Sequence, residues 1–132
     1  MTAMKRYAIA DLQQMRESED HVEFKKGEQG NVSYNGAGKE KPKDRRKCFL
    51  GYVTALCNEG GGRMVIGMHD SYPHQVIGTS QNKDSLGDLE SNIYRDTGIR
   101  PDVYELYEDE DNKKGRVVVI EVPARPVRRC SG

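Results

Sequence analysis

"ALCNEGGGRMVIGMHD", residues Ala55 to Asp70, runs from a helix-like stretch through three glycines into an apolar stretch ending in His-Asp. Its order is helix, glycines, strand. Dinucleotide and P-loop sites run the other way, strand, glycines, helix, so that phosphate meets a helix N-terminus. Neither GxxxxGK[ST] nor GxGxxG is present. At a helix C-terminus the dipole repels anions, and glycine takes positive φ cheaply. Asn58, Gly60, Gly61 and Gly62 therefore read as a structural turn that ends a helix and delivers a buried strand, "RMVIGMHD".

Upstream of that turn, Phe49, Leu50, Val53, Leu56 and Cys57 fall on one helical stripe, which predicts a helix from about Lys43 or Asp44. Before it lies "GEQGNVSYNGAGKEKP", Gly27 to Pro42, a long polar loop. "HVEFKK" alternates, with Val22 and Phe24 on one side and His21, Glu23 and Lys25 on the other, which predicts a half-buried strand. Ile9, Leu12 and Met15 recur every three residues, giving a short amphipathic helix within Tyr7 to Arg16.

Downstream, "SYPH" turns into "QVIG", which predicts a hairpin with the strand before it. Leu86, Leu89, Ile93 and Tyr94 share a helical face, with Asp84 as N-cap and Gly98 as the stop. "DVYELYEDED" and "RVVVIEVP" are two strands joined by Asn-Lys-Lys-Gly. In the second, Val117 to Val122 is apolar on both faces apart from Glu121, as in a central strand. The order α, β, α, β, β, α, β, β predicts an α+β fold. It is a single two-layer domain with a mixed sheet of about five strands and two to three helices. The domain is expected over residues 1–127, with 128–132 as a linker toward a further region.

The 132 residues suit one domain. No run approaches a membrane span, and the N-terminus lacks the apolar core of a secretory signal, so the expected compartment is the cytoplasm. Cys48, Cys57 and Cys130 form no CxxC pair, and Cys48 and Cys57, in the predicted helix, read as buried reduced thiols. His21, His69 and His74 have no HxxxH or HxH spacing, which argues against zinc.

A net charge of zero argues against a simple basic nucleic-acid binder, but the charge is segregated. Lys25 to Lys47 holds eight Lys/Arg against Glu28, Glu40 and Asp44, whereas Asp102 to Asp111 holds six acids and no base. Lys25, Lys39, Lys41, Lys43, Arg45, Arg46 and Lys47 are the candidate phosphate-neutralising residues. Glu17, Glu19 and Glu23 in and before the first strand, and Asp70 at the end of another, are candidate catalytic carboxylates. Three of them brought together hold a divalent ion that activates water against a phosphodiester.

"ESEDHVEFKKG", a helix ending "ALCNEGGG", then "RMVIGMHD", "VIG", "IRPDV" and "VVVIEVPARPV", in that order, resemble the Schlafen-type AlbA_2 domain. The resemblance covers Glu17 to Val127. It implies an Alba-like α+β module associated with DNA binding, commonly at the start of longer transcriptional regulators in bacteria and archaea. Alba-like folds often self-associate, so the resemblance also implies a homodimer. Animal Schlafen proteins use the same module to cleave transfer and ribosomal RNA with metal-binding carboxylates. By motif position those acids are Glu17 or Glu19, Glu23 and Asp70, with Glu19, Glu23 and Asp70 as the ligands of Mg²⁺ or Mn²⁺. Glu17 lies six residues before Glu23 and Glu19 four, where the family usually has five, so both stay in play.

The expected function is a nucleic-acid-binding module, DNA before structured RNA, needing no cofactor for binding. The alternatives are a metal-dependent endoribonuclease and a dimerisation or docking domain.

Overall fold

The computed structural model describes residues 5–26, 34–35, 41 and 48–124. These form helices α1 (Ile9–Gln13), α2 (Glu17–Asp20), α3 (Phe49–Asn58) and α4 (Leu86–Thr97), with strands β1 (Val22–Lys25), β2 (Gly62–Ile66), β3 (Asp102–Asp109) and β4 (Lys114–Val122). One mixed sheet runs in the order β1-β2-β4-β3. β1 lies parallel to β2, and β4 lies antiparallel to both β2 and β3. The fold is α+β.

Among the described residues the sheet has four strands, not about five. "QVIG" contributes only one bridge, Met68 to Val76, because positive φ at Gly67 and Gly78 turns the chain out of the ladder on both sides. Two smaller expectations also shift. α1 is shorter than Tyr7 to Arg16, and the N-cap of α4 is Ser85, since Asp84 has positive φ. The expected helix start at Lys43 or Asp44 lies outside the described residues. α3 begins at Phe49, where the Cys48 Sγ accepts from Gly51 N–H at 3.3 Å.

β4 is central, and its sequence says why. Val118, Ile120 and Val122 face one way, packing with Met64 and Ile66 of β2 against Phe49, Val53 and Leu56 of α3 and Leu89 and Ile93 of α4. Val117 and Val119 face the other way, packing with Val22, Phe24 and Val65 against Leu12 and Met15. Val117 to Ile120 have no exposed surface, and each such side chain contributes about 1.5–3 kcal/mol.

The N-terminal segment that covers this second face is fastened by polar contacts. Tyr7 N–H donates to Tyr104 Oη at 2.9 Å, and Arg6 pairs with Asp102 at 2.8 Å. Arg63 Nη1 donates to the Asp20 carbonyl at 2.7 Å.

Candidate functional site

The short edge strand β1 sets the site. Val22 and Phe24 are buried, so Glu23 between them turns to the other face, opposite Met64 and toward α3. An open cleft of about 1020 Å³ runs between β1 and α3, and Glu17, Glu23, Lys25, Tyr52, Asn58 and Glu59 are among its lining residues. Glu17 reaches the cleft from the start of α2. His21, at φ 49°, reverses the chain from α2 into β1 and also lines the cleft. Glu19, on the same helical turn as Glu17, is exposed and does not line it.

Burial pushes the Glu23 carboxyl above its ordinary range. Lys25 opposes the shift, while the charges of Glu17, Asp70 and Glu59 add to it. The structure thus brings Glu17 and Asp70 close enough to Glu23 for their charges to be felt, and adds Glu59, which the sequence reading did not select. Glu59 occupies the C-cap position of α3 beside Asn58, the helix's last residue.

Asp70 is exposed beyond the Met68 bridge, with Oδ1 3.3 Å from His69 Nδ1. That nitrogen accepts from Ser71 N–H at 3.1 Å, so it carries a lone pair and makes no ion pair with Asp70.

The acids do not form a ligand set. Among the described residues no group of three or more His, Cys, Asp or Glu is gathered closely enough to hold a metal ion. Glu17, Glu23 and Asp70 therefore do not fit Mg²⁺ or Mn²⁺ as they stand, and neither do Glu19, Glu23 and Asp70.

The glycines are not a phosphate cradle. Gly60 and Gly61 N–H donate to the Cys57 and Leu56 carbonyls, and Gly62 pairs with Val122 in the sheet. A side chain at Gly61 would meet the backbone of Val122 to Ala124, and one at Gly62 would strike the His21 carbonyl. The triplet exists because the entry to β1 and the exit from β4 both press against this turn.

Of the candidate cations, Lys25 lines the cleft, its ammonium 4.5 Å above the Tyr52 ring. Lys41 is exposed. Lys39, Lys43, Arg45, Arg46 and Lys47 lie outside the described residues, as do residues 128–132.

Sequence reasoning gave no role to His74, which is 2% exposed. Its ring stacks on Phe24 at 3.7 Å, and its Nε2 lies 2.8 Å from the Met15 carbonyl. It also paired nothing with Glu121, which meets Arg63 inside the sheet. The available signal was a charged residue standing in an otherwise apolar strand.

The family model described as Schlafen, AlbA_2 matches residues 18–130. No curated protein matches the chain. Among solved structures, the chain is similar to the DIP2311 protein from Corynebacterium diphtheriae, at 23% identity and a TM-score of 0.52. That similarity covers 84% of this chain and 22% of the other, so this chain spans about a fifth of that protein's length. At this identity the likeness speaks for the fold alone.

Proposed function

Since the chain belongs to the Schlafen AlbA_2 family, we propose that it is a cytoplasmic nucleic-acid-binding module, with DNA as the first ligand, working as part of a transcriptional regulator. The observation that carries this reading is where the basic segment is anchored. Lys25 and Cys48 both line the cleft, and the chain between them holds seven of the eight cations that begin with Lys25. The described residues at both ends of the basic segment therefore line the cleft, and Tyr34 within that segment donates to Asp96 at 2.6 Å. Its cations supply the non-specific, phosphate-directed part of binding, and the acidic floor keeps the backbone at the rim. No helix among the described residues is long and apolar enough to cross a membrane.

The test is binding of labelled duplex DNA and transfer RNA across a salt series. With roughly four to six phosphate contacts, affinity falls steeply between 50 and 200 mM salt. Affinity that stays flat across the series rejects the reading.

The acids that bear on Glu23 favour a second reading, a metal-dependent endoribonuclease. Here Glu17 or Glu19, Glu23 and Asp70 would have to close around Mg²⁺ or Mn²⁺. The same assay run with Mn²⁺, with chelator and with Asp70→Ala separates the two. Cleavage that needs both metal and Asp70 makes the protein a nuclease. Absence of both binding and cleavage moves the reading to a docking or homodimerisation domain, for which β3 stands at an edge of the sheet.

A further inference from the structure

A second cleft, at the start of β4, holds a buried guanidinium with unspent donors, and we infer that it is an oxyanion site for a phosphate group. It has a volume of about 650 Å³ and is lined by Thr79, Ser80, Lys83, Lys113 and Arg116, with Gly78 and Gly115 as backbone walls.

The Arg116 side chain is only 6% exposed. Nε donates to Glu105 Oε2 at 2.6 Å, and Nη1 donates to the Thr79 and Gln81 carbonyls at 3.1 and 2.8 Å. Nη2 is buried and has no acceptor among the described residues. A guanidinium satisfies its donors almost without exception when buried, because each unmade bond to a charged group costs more than a neutral one. Nη2 is thus a buried charged donor that an acceptor from outside would satisfy.

The surroundings suit an anion better than any other ligand. Lys83 is exposed and has no carboxylate partner among the described residues. Lys113 has only Glu110, at 3.6 Å, and lies 5.0 Å over the Tyr107 ring. Ser80 adds an exposed hydroxyl. Gly78 and Gly115 have positive φ, and a side chain at Gly78 would meet nothing closer than 3.9 Å, so the wall is open to a ligand.

Three carboxylates bear on the cleft: Glu105 on Arg116, Glu110 on Lys113, and Glu108 beside Gly115. They balance the three cations in number, but none of them is paired with Lys83 among the described residues. The unengaged donors are Arg116 Nη2, the Lys83 ammonium and the Ser80 hydroxyl. Tetrahedral phosphate, with acceptors pointing several ways, is able to meet the Nη2 donors and two ammonium groups at once. Nη2 is enclosed, so seating the anion shifts the Thr79–Gln81 segment whose carbonyls hold Nη1.

The phosphate belongs either to a nucleic-acid backbone or to a free phosphate or nucleotide. Titration of ¹⁵N-labelled protein with inorganic phosphate, and separately with short duplex DNA at matched ionic strength, tests the site. Phosphate moves the amides of Ser80, Lys83 and Gly115, and the Lys83→Ala/Lys113→Ala double variant, which leaves Arg116 in place, binds about tenfold more weakly. DNA that moves the same amides and competes with phosphate identifies the backbone as the source. DNA that leaves them still identifies the free anion. The inference is overturned if phosphate moves none of these amides, or if the double variant responds as the parent does. It does not depend on the nucleic-acid reading, since phosphate can bind here whether or not the β1 cleft binds DNA.

Discussion

Arg63 of β2 and Glu121 of β4 are paired across the sheet, with Nε 3.1 Å from Oε1 and side chains only 14% and 5% exposed. Tyr104 Oη donates to the same carboxylate at 3.0 Å, and the Tyr7 ring lies 4.7 Å from the Arg63 guanidinium. The pair thus joins two strands and the N-terminal segment. Burial still pushes the Glu121 carboxyl up, with Arg63 and Tyr104 pulling it down, so the neutral acid is tolerated better than a lone charge.

That asymmetry makes a prediction. Arg63→Met leaves a buried carboxylate unpaired and costs about 3–5 kcal/mol. Glu121→Gln keeps an acceptor for Tyr104 and costs about 1–2 kcal/mol. Midpoints of urea unfolding measure both. Equal costs, or a larger cost for Glu121→Gln, would refute the account.

Much of this fold is legible from apolar periodicity. The two-faced run Val117 to Val122 placed β4 in the middle of the sheet, and the stripe from Phe49 to Cys57 gave the face of α3. The "QVIG" strand misled because its flanking glycines serve a turn rather than a ladder. Arg63, Glu121 and Arg116 were illegible as partners, since pairing across strands depends on register, which one sequence does not state. The candidate acids stand out as residue types at family motif positions. That Glu17 lines the cleft while Glu19 does not follows from one turn of helix α2, below the resolution of any periodicity.

The glycine triplet makes unequal demands. Gly62→Ala drives a Cβ into the His21 carbonyl, where β1 begins. Gly60→Ala meets nothing within 4 Å and suffers only from its φ of 103°. Gly60→Ala is expected to cost about 1 kcal/mol. Gly62→Ala is expected to cost more than about 2 kcal/mol, because backbone must move. Thermal melts of the two variants check the order, and a reversal would show that the turn is not shaped by the entry to β1.

His74 fastens the N-terminal segment to the Asp70 loop. Nδ1 lies 2.9 Å from the His69 carbonyl and Nε2 lies 2.8 Å from the Met15 carbonyl. A neutral ring donates to one of these and the doubly protonated ring to both. His74→Ala removes that bridge and the stack on Phe24, at a cost of about 2–4 kcal/mol. Proteolysis should then cut within residues 5–20 sooner than in the parent. A variant that is globally weaker but cut no faster there would mean that the ring only fills space.

Glu23 gives the pH dependence. Its carboxyl titrates above the usual 4.5, through burial first and the charges of Glu17, Asp70 and Glu59 after it, against Lys25. Between the unfolded and folded values the native state holds more protons than the unfolded chain. Stability from this group is therefore lost as pH rises through that window. Glu23→Gln should stabilise the protein at pH 7, with the gain vanishing at pH well below the unfolded value of 4.5, where the carboxyl is neutral in both states. Because the acids form no ligand set, millimolar Mg²⁺ should leave the melting temperatures of parent and variant moving together. A Mg²⁺ or Mn²⁺ response seen in the parent and absent in Glu23→Gln would mean that the acids close around a cation, and would move the weight to the nuclease reading.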